Sequence, residues 1–438
     1  MNQKRTSIIT IGCRLNQADT ALMYAQLKKG GFEIEKHQTC SKLDLIIINT
    51  CSVTSSASQK SRQYARSMKE KHPGAVIVVT GCDTEVDREK WSEAGVDIVV
   101  PNSQKTNILS YIRNKFDIPL DSINQNHSER FDIFIQDSSG LFPFKSRANL
   151  KIQDGCDAFC TYCIVPYGRG NPRSREWNDT LREFRELIAY GFKEIVLTGV
   201  NIATYNDSRR SLIDLLKEML AEEPATYRIR LGSTEPQFSM KGLIETIASE
   251  SRICRFLHLP LQHGANKILQ AMGRSYSREE FADFVREAVR VIPDICIGSD
   301  VIVGFPGETD DDFQECLNFL KSLPLAYLHV FGYSKREGTP AASYENQISP
   351  KIIMARHKIL TELASELSTR FLSKQVNKTF MIIPEKESEG VITGWTDNYI
   401  KACVAVDRSK AEMLMKEPFL KVKLTGLGGY REMRGELA

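Results

Sequence analysis

The run Asp154-Gly155-Cys156-Asp157-Ala158-Phe159-Cys160-Thr161-Tyr162-Cys163 carries the strongest structural signal in the chain. Three residues separate its first two cysteines, and two residues separate the second from the third. Three thiolates at this spacing can hold three irons of a four-iron cube and leave the fourth iron without a protein ligand. A metal with an open coordination position is typical of a reaction site. The loop therefore predicts a reactive iron–sulfur cluster.

Plainer explanations of this loop remain open on the residues alone. A zinc site would need further ligands close by, but the next cysteine and histidine are Cys254 and His258. A disulfide would need an oxidising compartment, and the three cysteines could also be inert buried thiols. The iron–sulfur interpretation is favoured because the spacing supplies three ligands and no fourth.

The composition indicates an ordinary globular protein. The chain has 438 residues, 42% hydrophobic residues and a net charge of +3, which suits about three domains and excludes a general polycation. No stretch approaches the ~18 apolar residues of a membrane span. The first residues lack the apolar run of a signal peptide. We therefore predict a cytoplasmic protein without a membrane segment, whose cysteines are metal ligands or buried thiols.

The first ~110 residues alternate strand and helix, as in a small doubly wound α/β domain. Cys13, Cys51 and Cys82 each follow one of its first three predicted strands. Carboxyl ends of parallel strands meet at one edge of a sheet, so the three thiols should converge on a second three-ligand cluster site. A buried structural thiol is the alternative for each cysteine taken singly. Strands are predicted at Thr6–Ile11, Leu45–Asn49, Ala75–Thr80 and Val96–Val100, and helices up to about Lys29 and over Ser55–Lys71.

Residues 116–145 read as a linker with a hairpin around Phe131–Ile135, and a larger strand–helix alternation follows. Six such units predict an incomplete TIM-type barrel, a partial (β/α)6 barrel, over residues 146–375. Cys156 follows its first strand, where such barrels react. The predicted strands are Asn149–Gln153, Glu194–Leu197, Arg228–Leu231, Phe256–Leu259, Ile295–Val303 and Ala326–Phe331. The predicted helices are Thr180–Tyr190, with Asn178 or Thr180 as N-cap, Leu212–Ala221, Met240–Ser249, Ala265–Ala271, Arg278–Val291 and Asp310–Leu320.

The end of the chain has a different pattern. Lys351–Lys374 reads as a basic helix, and short β-type runs after Val376 predict a small all-β module. This module holds ten Lys/Arg and nine Asp/Glu, so its charge does not separate an RNA-binding role from a structural cap. The stretch Phe142–Arg175, with six Lys/Arg and two Asp, could form a phosphate-facing surface together with the basic helix or could simply be solvated.

Over nearly its whole length the sequence resembles the methylthiotransferases, radical S-adenosylmethionine (SAM) enzymes that convert C–H into C–S–CH3. The branch it resembles most acts on threonylcarbamoyladenosine in tRNA. Segments that carry the resemblance are Thr10–Gln17, Asn49–Ser52, Thr80–Cys82, Asp154–Gly170, Pro172–Arg175, Leu197–Asn201, Leu259–Gln262 and Asp300–Thr309.

The resemblance implies three domains: a cluster domain over residues 1–115, a radical SAM barrel over 146–375 and a TRAM RNA-binding β module over 376–438, with 116–145 as linker. It implies two [4Fe-4S] clusters that face a shared cavity. The cluster on Cys156, Cys160 and Cys163 would cleave SAM, and the cluster on Cys13, Cys51 and Cys82 would carry sulfur. It further implies SAM contacts at Tyr162, Gly199, Asn201, Ser233, Glu235, Val303 and Gly304.

The same resemblance suggests the substrate. The residues after Cys13 fit the branch that adds a methylthio group to C2 of N6-threonylcarbamoyladenosine 37. The alternatives are N6-isopentenyladenosine 37 and an aspartate of a ribosomal protein. A threonylcarbamoyl group carries a carboxylate, for which Arg14 and Arg175 are candidate partners. Implied partners are the anticodon loop of tRNA, an electron donor such as flavodoxin or ferredoxin, and a sulfur donor.

Two rival classes follow from the same residues. A sulfur-inserting synthase would also hold two clusters but would lack the terminal RNA module. A non-catalytic iron–sulfur RNA-binding protein would not need an open-site spacing at Cys156, Cys160 and Cys163. Reductive cleavage of SAM separates catalysis from binding.

Overall fold

The first part of the computed structural model is a five-stranded parallel sheet. The structure describes residues 4–35, 42–116, 118, 146–235 and 241–438. The sheet has the order β2-β1-β3-β4-β5, which is the flavodoxin-like doubly wound arrangement. Its strands are β1 Lys4–Thr10, β2 Phe32–Ile34, β3 Leu45–Thr50, β4 Val76–Gly81 and β5 Ile98–Val99, and its helices are α1 Arg14–Lys29, α2 Ser55–Lys71, α3 Cys82–Val86, α4 Glu89–Ser92 and α5 Ile108–Phe116.

The sequence pattern explains this sheet. All six residues of β3 are buried, as its continuous apolar run predicts for a strand with helices on both faces. Helix α2 begins where the Thr54 side chain accepts a hydrogen bond from the Ala57 backbone N–H. The doubly wound α/β prediction is confirmed, but strand β2 was missed because only three residues form it.

The second part is an incomplete barrel of six parallel strands, which confirms the predicted (β/α)6 architecture. The barrel consists of two three-stranded sheets, β6-β9-β12 and β13-β14-β15. Isolated parallel β-bridges join them, one between Ile229 and Ile253 and one between Ser233 and His258. The six barrel strands are β6 Ala148–Lys151, β9 Glu194–Thr198, β12 Arg228–Leu231, β13 Phe256–His258, β14 Cys296–Val303 and β15 Tyr327–Gly332. Two short antiparallel pairs are separate from these sheets: β7 Gln153–Asp154 with β8 Arg173–Ser174, and β10 Asn206–Asp207 with β11 Arg210–Ser211.

The helices of this second part begin with α6 Val165–Arg169, which packs against α3 of the first part. The others are α7 Trp177–Ala189, α8 Leu212–Leu220, α9 Lys241–Ser249, α10 Asn266–Ala271, α11 Arg278–Val291, α12 Asp310–Ser322 and α13 Pro350–Ser373. Helix α7 starts earlier than the sequence indicated. Its N-cap is Glu176, whose carboxylate accepts from the Asp179 N–H at 2.6 Å, and not Asn178 or Thr180. The hairpin predicted around Phe131–Ile135 lies outside the described residues.

The third part is a small closed barrel with the order β16-β17-β18-β20-β19, as expected of a TRAM-like module. The predicted β module is confirmed, and the structure adds one helix, which connects β18 to β19. Only Ala411 of that helix is buried, so its polar sequence gave no periodic apolar signal. The elements are β16 Thr379–Ser388, β17 Val391–Thr396, β18 Lys401–Ala405, α14 Arg408–Lys416, β19 Leu420–Leu427 and β20 Glu432–Leu437.

Buried arginines join the closed barrel to the incomplete one. Arg230 pairs with the buried Glu194 at 2.7 Å, and it also donates to the backbone carbonyls of Thr396 and Asp397. Arg228 pairs with the same carboxylate and donates to the Trp395 carbonyl at 2.9 Å. The turn between β17 and β18 is therefore fixed against the barrel interior. Across the described residues, no helix is both long and apolar enough to cross a bilayer.

Candidate functional site

A cavity of about 430 Å³ lies where the carboxyl edge of the first sheet meets the incomplete barrel. Cys13, Cys51 and Cys82 all line it, each directly after strand β1, β3 or β4 or the short turn that follows. The other lining residues are Arg14, Leu15, Asn16, Ser52, Val53, Val165, Arg169, Thr198, Gly199, Val200, Gly232, Ser233, Phe256, His258, Tyr327, His329 and Tyr399.

The residue before Cys13 must be glycine, because a side chain at this position would collide with Cys51. Gly12 has φ +106°, and a Cβ there would stand 2.7 Å from the Cys51 Cβ and 2.9 Å from its Sγ. Only a residue without a side chain lets the turn after β1 approach the thiol after β3 this closely. The close approach brings two of the three thiols together at the point where the strand order reverses, which is where doubly wound sheets bind ligands.

Two thiols of this cavity, those of Cys51 and Cys82, are protonated in the absence of metal. Burial raises the pKa of Cys51 to about 11 and also raises the pKa of Cys82 above its ordinary value. Metal ligation requires thiolates, so loading this site must displace protons.

Five buried ionic side chains lie at or next to the first cavity, and their net charge tests whether an iron–sulfur cluster fits there. Asp19 pairs with Lys105 and with Lys151 at 2.8 Å, and Arg169 pairs with Asp154 at 2.9 Å and with Asp19 at 3.2 Å. Burial disfavours the ionised form of Asp19, but these cations hold its pKa below the ordinary value. All five are at most 7% exposed.

Three cations and two carboxylates leave one buried positive charge in this group, which we call the ionic group. An uncompensated buried charge is costly. A [4Fe-4S]²⁺ core on three thiolates carries one negative charge, and Arg169 lines the cavity beside Cys82. The chemistry of this donor set and its surroundings therefore fits such a cluster at Cys13, Cys51 and Cys82. The sequence offers one signal for the group, since Asn16, Asp19 and Thr20 are polar residues on a buried face of α1.

The second cysteine triad forms a compact loop at the carboxyl end of β7. The Cys163 N–H donates to the Cys160 carbonyl at 2.8 Å, and the Ala158 N–H donates to the Cys156 Sγ at 3.4 Å. Helix α6 follows directly and packs against α3, which begins at Cys82. The two triads are thus joined through one short helix pair.

A second cavity of about 220 Å³ opens beside this loop. The triads were expected to face one shared cavity; instead Cys156 and Cys160 line the second cavity, and the two linings meet at the ends of β9 and β12, between Val200 and Asn201. The second cavity is lined by Gly155, Cys156, Asp157, Ala158, Cys160, Pro172, Asn201, Thr204, Glu235, Gly273, Arg274 and Ser275.

Neither triad has the dimensions of a zinc site. Zinc bound at about 2.3 Å needs its sulfur ligands about 4 Å apart. Among the described residues, the only group of three metal-ligand side chains whose ligand atoms all lie within 4.8 Å of one another is His258, Asp300 and His329. Each cysteine triad therefore has at least one pair of sulfur atoms more than 4.8 Å apart, which is too far for one zinc ion to bind all three.

Arg274 belongs to the lining of the second cavity and was not suggested by the sequence. Its guanidinium is 3% exposed, donates to the Cys160 Sγ at 3.2 Å and pairs with Glu235 at 2.8 Å. A cation on a ligating sulfur stabilises added negative charge. The one feature of the sequence that marks Arg274 is the glycine before it, Gly273. In the structure this glycine has φ +74° just after α10 ends.

The residues expected to contact SAM fall into three groups. Asn201 and Glu235 line the second cavity, and the Asn201 Oδ1 accepts the Glu235 N–H at 3.3 Å. Gly199 and Ser233 line the first cavity. Three others lie outside both linings, among the described residues: Tyr162 packs in a small apolar cluster with Met272, Val303 is fully buried in the barrel core, and a Cβ on Gly304 would stand 2.3 Å from Ile353.

The two candidate substrate arginines have different surroundings. Arg14 lines the first cavity, where its Nη2 donates to the Tyr399 hydroxyl at 2.9 Å. Arg175 is fully buried and pairs with Asp179 at 2.6 Å and with Glu183. Its guanidinium is therefore directed into the protein and away from the cavity.

Three of the six cations of Phe142–Arg175 do not contribute to the phosphate-facing surface that this stretch could form. Lys151 and Arg169 belong to the ionic group and are 4% exposed, and Arg175 is enclosed as described. Each of these three cations is buried because it pairs with carboxylates of a helix, Asp19 of α1 or Asp179 and Glu183 of α7. The sequence shows the charges but not which of them pair.

Comparisons with known proteins agree with this site. Profiles of the Radical SAM superfamily and of the Uncharacterized protein family UPF0004 match residues 150–320 and 5–101. The radical SAM methyltransferase TsrM of Kitasatospora setae shares the fold, with a TM-score of 0.56, 15% identity and 77% of each chain covered.

Many relatives match over most of the chain, including the following two. The tRNA-2-methylthio-N(6)-dimethylallyladenosine synthase of Geobacillus kaustophilus (strain HTA426) is 32% identical and covers 89% of this chain and 75% of its own. The threonylcarbamoyladenosine tRNA methylthiotransferase MtaB of Bacillus subtilis (strain 168) is 35% identical over 429 residues, covering 96% of this chain and 93% of its own. The chain is a radical SAM enzyme and belongs to the MtaB-type family of methylthiotransferases.

Proposed function

We propose that this enzyme adds a methylthio group to C2 of N6-threonylcarbamoyladenosine at position 37 of tRNA. The observation that carries the proposal is the placement of the two cysteine triads on adjoining cavities at the carboxyl ends of the sheet and the barrel. The relative named for this substrate covers nearly the whole chain, which supports the choice of substrate.

The triads would hold two [4Fe-4S] clusters, Cys13, Cys51 and Cys82 in the first cavity and Cys156, Cys160 and Cys163 beside the second. With SAM bound, these groups supply the electron, the carbon radical and the methylthio group. The protein positions the reactants and excludes water. Arg274 holds positive charge at the Cys160 sulfur, and Asn201 and Glu235 offer polar groups to SAM in the second cavity.

Arg14 is the proposed partner of the substrate carboxylate. It lines the first cavity next to the ligand Cys13, and the Tyr399 ring and hydroxyl fix its guanidinium. A guanidinium held in this way can pair with a carboxylate through two parallel hydrogen bonds. An isopentenyl group has no charge to use this contact, so a cation here favours threonylcarbamoyladenosine over the substrate of the dimethylallyl relatives. Gly199, Ser233, Tyr162, Val303 and Gly304 remain proposed SAM neighbours.

The proposed domains are the cluster domain over residues 1–115, the linker over 116–145, the radical SAM barrel over 146–375 and the closed barrel over 376–438. The closed barrel is the proposed tRNA-binding module. The target adenosine would enter unstacked from the anticodon loop, since single-stranded loops release their bases at low cost. A reductant such as flavodoxin or ferredoxin in the cytoplasm would supply electrons.

Nucleoside mass analysis of tRNA from a deletion strain tests the substrate. We expect loss of the methylthio derivative of threonylcarbamoyladenosine, restored by the wild-type gene and not by the Cys160→Ala variant. Loss of the isopentenyl derivative instead, or loss of a methylthio mark on a ribosomal protein, would assign one of the alternative substrates. Production of 5′-deoxyadenosine by the reduced, reconstituted protein tests the radical step independently.

A further inference from the structure

Two histidines and an aspartate meet on the barrel wall of the first cavity, where the proposed chemistry gives them no role. His258 ends β13, and Asp300 and His329 are directly paired residues of β14 and β15. The His258 Nε2 lies 3.1 Å from one Asp300 oxygen, and the His329 Nδ1 lies 3.1 Å from the other. Both histidines line the cavity.

The donor set is that of a divalent transition-metal site. Two imidazole nitrogens and one carboxylate leave positions open and are typical of Fe²⁺, Mn²⁺ or Zn²⁺. The ligand atoms lie within 4.8 Å of one another, a spread that one ion can bridge. Burial opposes ionisation of Asp300, but hydrogen bonds from both histidines hold its pKa below the ordinary value, so the carboxylate is charged at neutral pH.

The surroundings of His258 match those of a metal ligand. Its Nδ1 lies 3.0 Å from the hydroxyl of Tyr327, a buried residue. Metal-bound histidines usually use their second nitrogen in this way, because the outer contact fixes the ring and directs the other nitrogen at the metal. With an ion bound, His258 would donate its Nδ1–H to the Tyr327 hydroxyl and direct its Nε2 lone pair at the ion, which would replace the hydrogen bond that the Nε2 gives Asp300 without the ion.

The open side of the group faces the substrate space. The His329 side chain is 47% exposed, and Arg14 lines the same cavity. We propose that His258, Asp300 and His329 bind one divalent transition-metal ion whose open positions take oxygen atoms of the threonylcarbamoyl carboxylate. The metal site stands on this geometry alone, and its role toward the substrate rests on the proposed function.

Mn²⁺ binding to the holoenzyme tests the site. With both clusters loaded and oxidised the protein has no paramagnetic signal of its own, and Mn²⁺ has little affinity for thiols, so loss of the free Mn²⁺ EPR signal measures binding to nitrogen and oxygen ligands. We expect one Mn²⁺ per chain, at least ten-fold weaker binding in Asp300→Asn and His329→Gln, and displacement by Zn²⁺. The His357→Gln variant changes a histidine outside the group and should bind as the wild type does.

Cluster absorbance and circular dichroism show whether Asp300→Asn and His329→Gln fold. If either variant fails to fold, His258→Gln is used in its place. Absence of stoichiometric Mn²⁺ binding, or unchanged binding in all ligand variants, would reduce the group to a hydrogen-bonded network and overturn the proposal.

The role of the metal toward the substrate has a separate measurement. Mn²⁺ should tighten binding of an anticodon stem-loop with threonylcarbamoyladenosine but not of the same stem-loop with plain adenosine. Metal binding with no such difference would keep the site and refute only its role toward the carboxylate.

Discussion

Replacing Arg274 by glutamine should make the cluster beside it harder to reduce. The guanidinium donates to the Cys160 Sγ at 3.2 Å and is almost fully buried, so its charge is poorly screened. Reduction adds one negative charge to the cluster, and a nearby cation favours the reduced form. Loss of the cation should therefore shift the midpoint potential to a more negative value.

The size of the shift follows from the charges around Arg274. A unit charge about 6 Å from the added electron contributes about 2.8 kcal/mol at an effective dielectric constant of about 20. Glu235, which pairs with the guanidinium at 2.8 Å, is present in both proteins, so its own effect on the cluster cancels from the difference. The ~2.8 kcal/mol corresponds to about 120 mV for one electron. Arg274→Lys keeps the charge but loses the planar fork, so a smaller shift is expected.

An EPR-monitored redox titration measures this potential. The Cys51→Ala background removes a ligand of the other cluster, so that the cluster on Cys156, Cys160 and Cys163 titrates alone. Arg286→Gln, which removes an exposed charge on α11, serves as the control and should leave the potential unchanged. An unchanged or more positive potential in Arg274→Gln, with the cluster absorbance intact, would refute the electrostatic reasoning.

Three further predictions concern the first cavity and its support. Asp19→Asn should lower the free energy of unfolding by about 3–5 kcal/mol in chemical denaturation, because it leaves buried cations unpaired, whereas the exposed Asp283→Asn should cost at most about 1 kcal/mol. The lowered pKa of Asp19 means that its contribution is present above pH ~4 and is lost as the pH falls, so the difference between variant and wild type should shrink in acid. Gly12→Ala should reduce the iron content from about eight to about four per chain, since its Cβ would overlap a ligand, whereas Gly74→Ala, in open space, should not. Arg14→Gln should lower kcat/KM on threonylcarbamoyladenosine tRNA by about ten-fold or more, the loss of one charged hydrogen bond, and a change below two-fold would remove Arg14 from substrate recognition.

The sequence predicted the elements that have strong periodic or continuous apolar patterns. Strand β3 begins with four consecutive apolar residues and was found almost residue for residue, whereas β2 is too short to form a pattern. Helix α14 has one buried residue and therefore no apolar stripe. The start of α7 was misplaced because a glutamate side chain caps it in competition with the usual capping residues.

The cysteines of the site could be named from spacing and strand position, but their electrostatic partners could not. Arg175 was assigned to substrate because a sequence shows a charge without its neighbours. Its partners Asp179 and Glu183 follow at four and eight positions, a helical spacing that could have indicated an internal ion pair. Arg274 approaches Cys160 from a distant segment, and no local pattern predicts such a contact.

The surplus positive charge of the ionic group has a consequence for damaged enzyme. A cluster in the first cavity acts as its counterion, so oxygen that destroys the cluster also weakens the seam between the sheet and the barrel. We expect inactivated copies to open at this seam and to become sensitive to proteases before they unfold elsewhere. Loss of the inorganic group would then mark the polypeptide for removal, and a cell would not accumulate inert copies that still occupy tRNA.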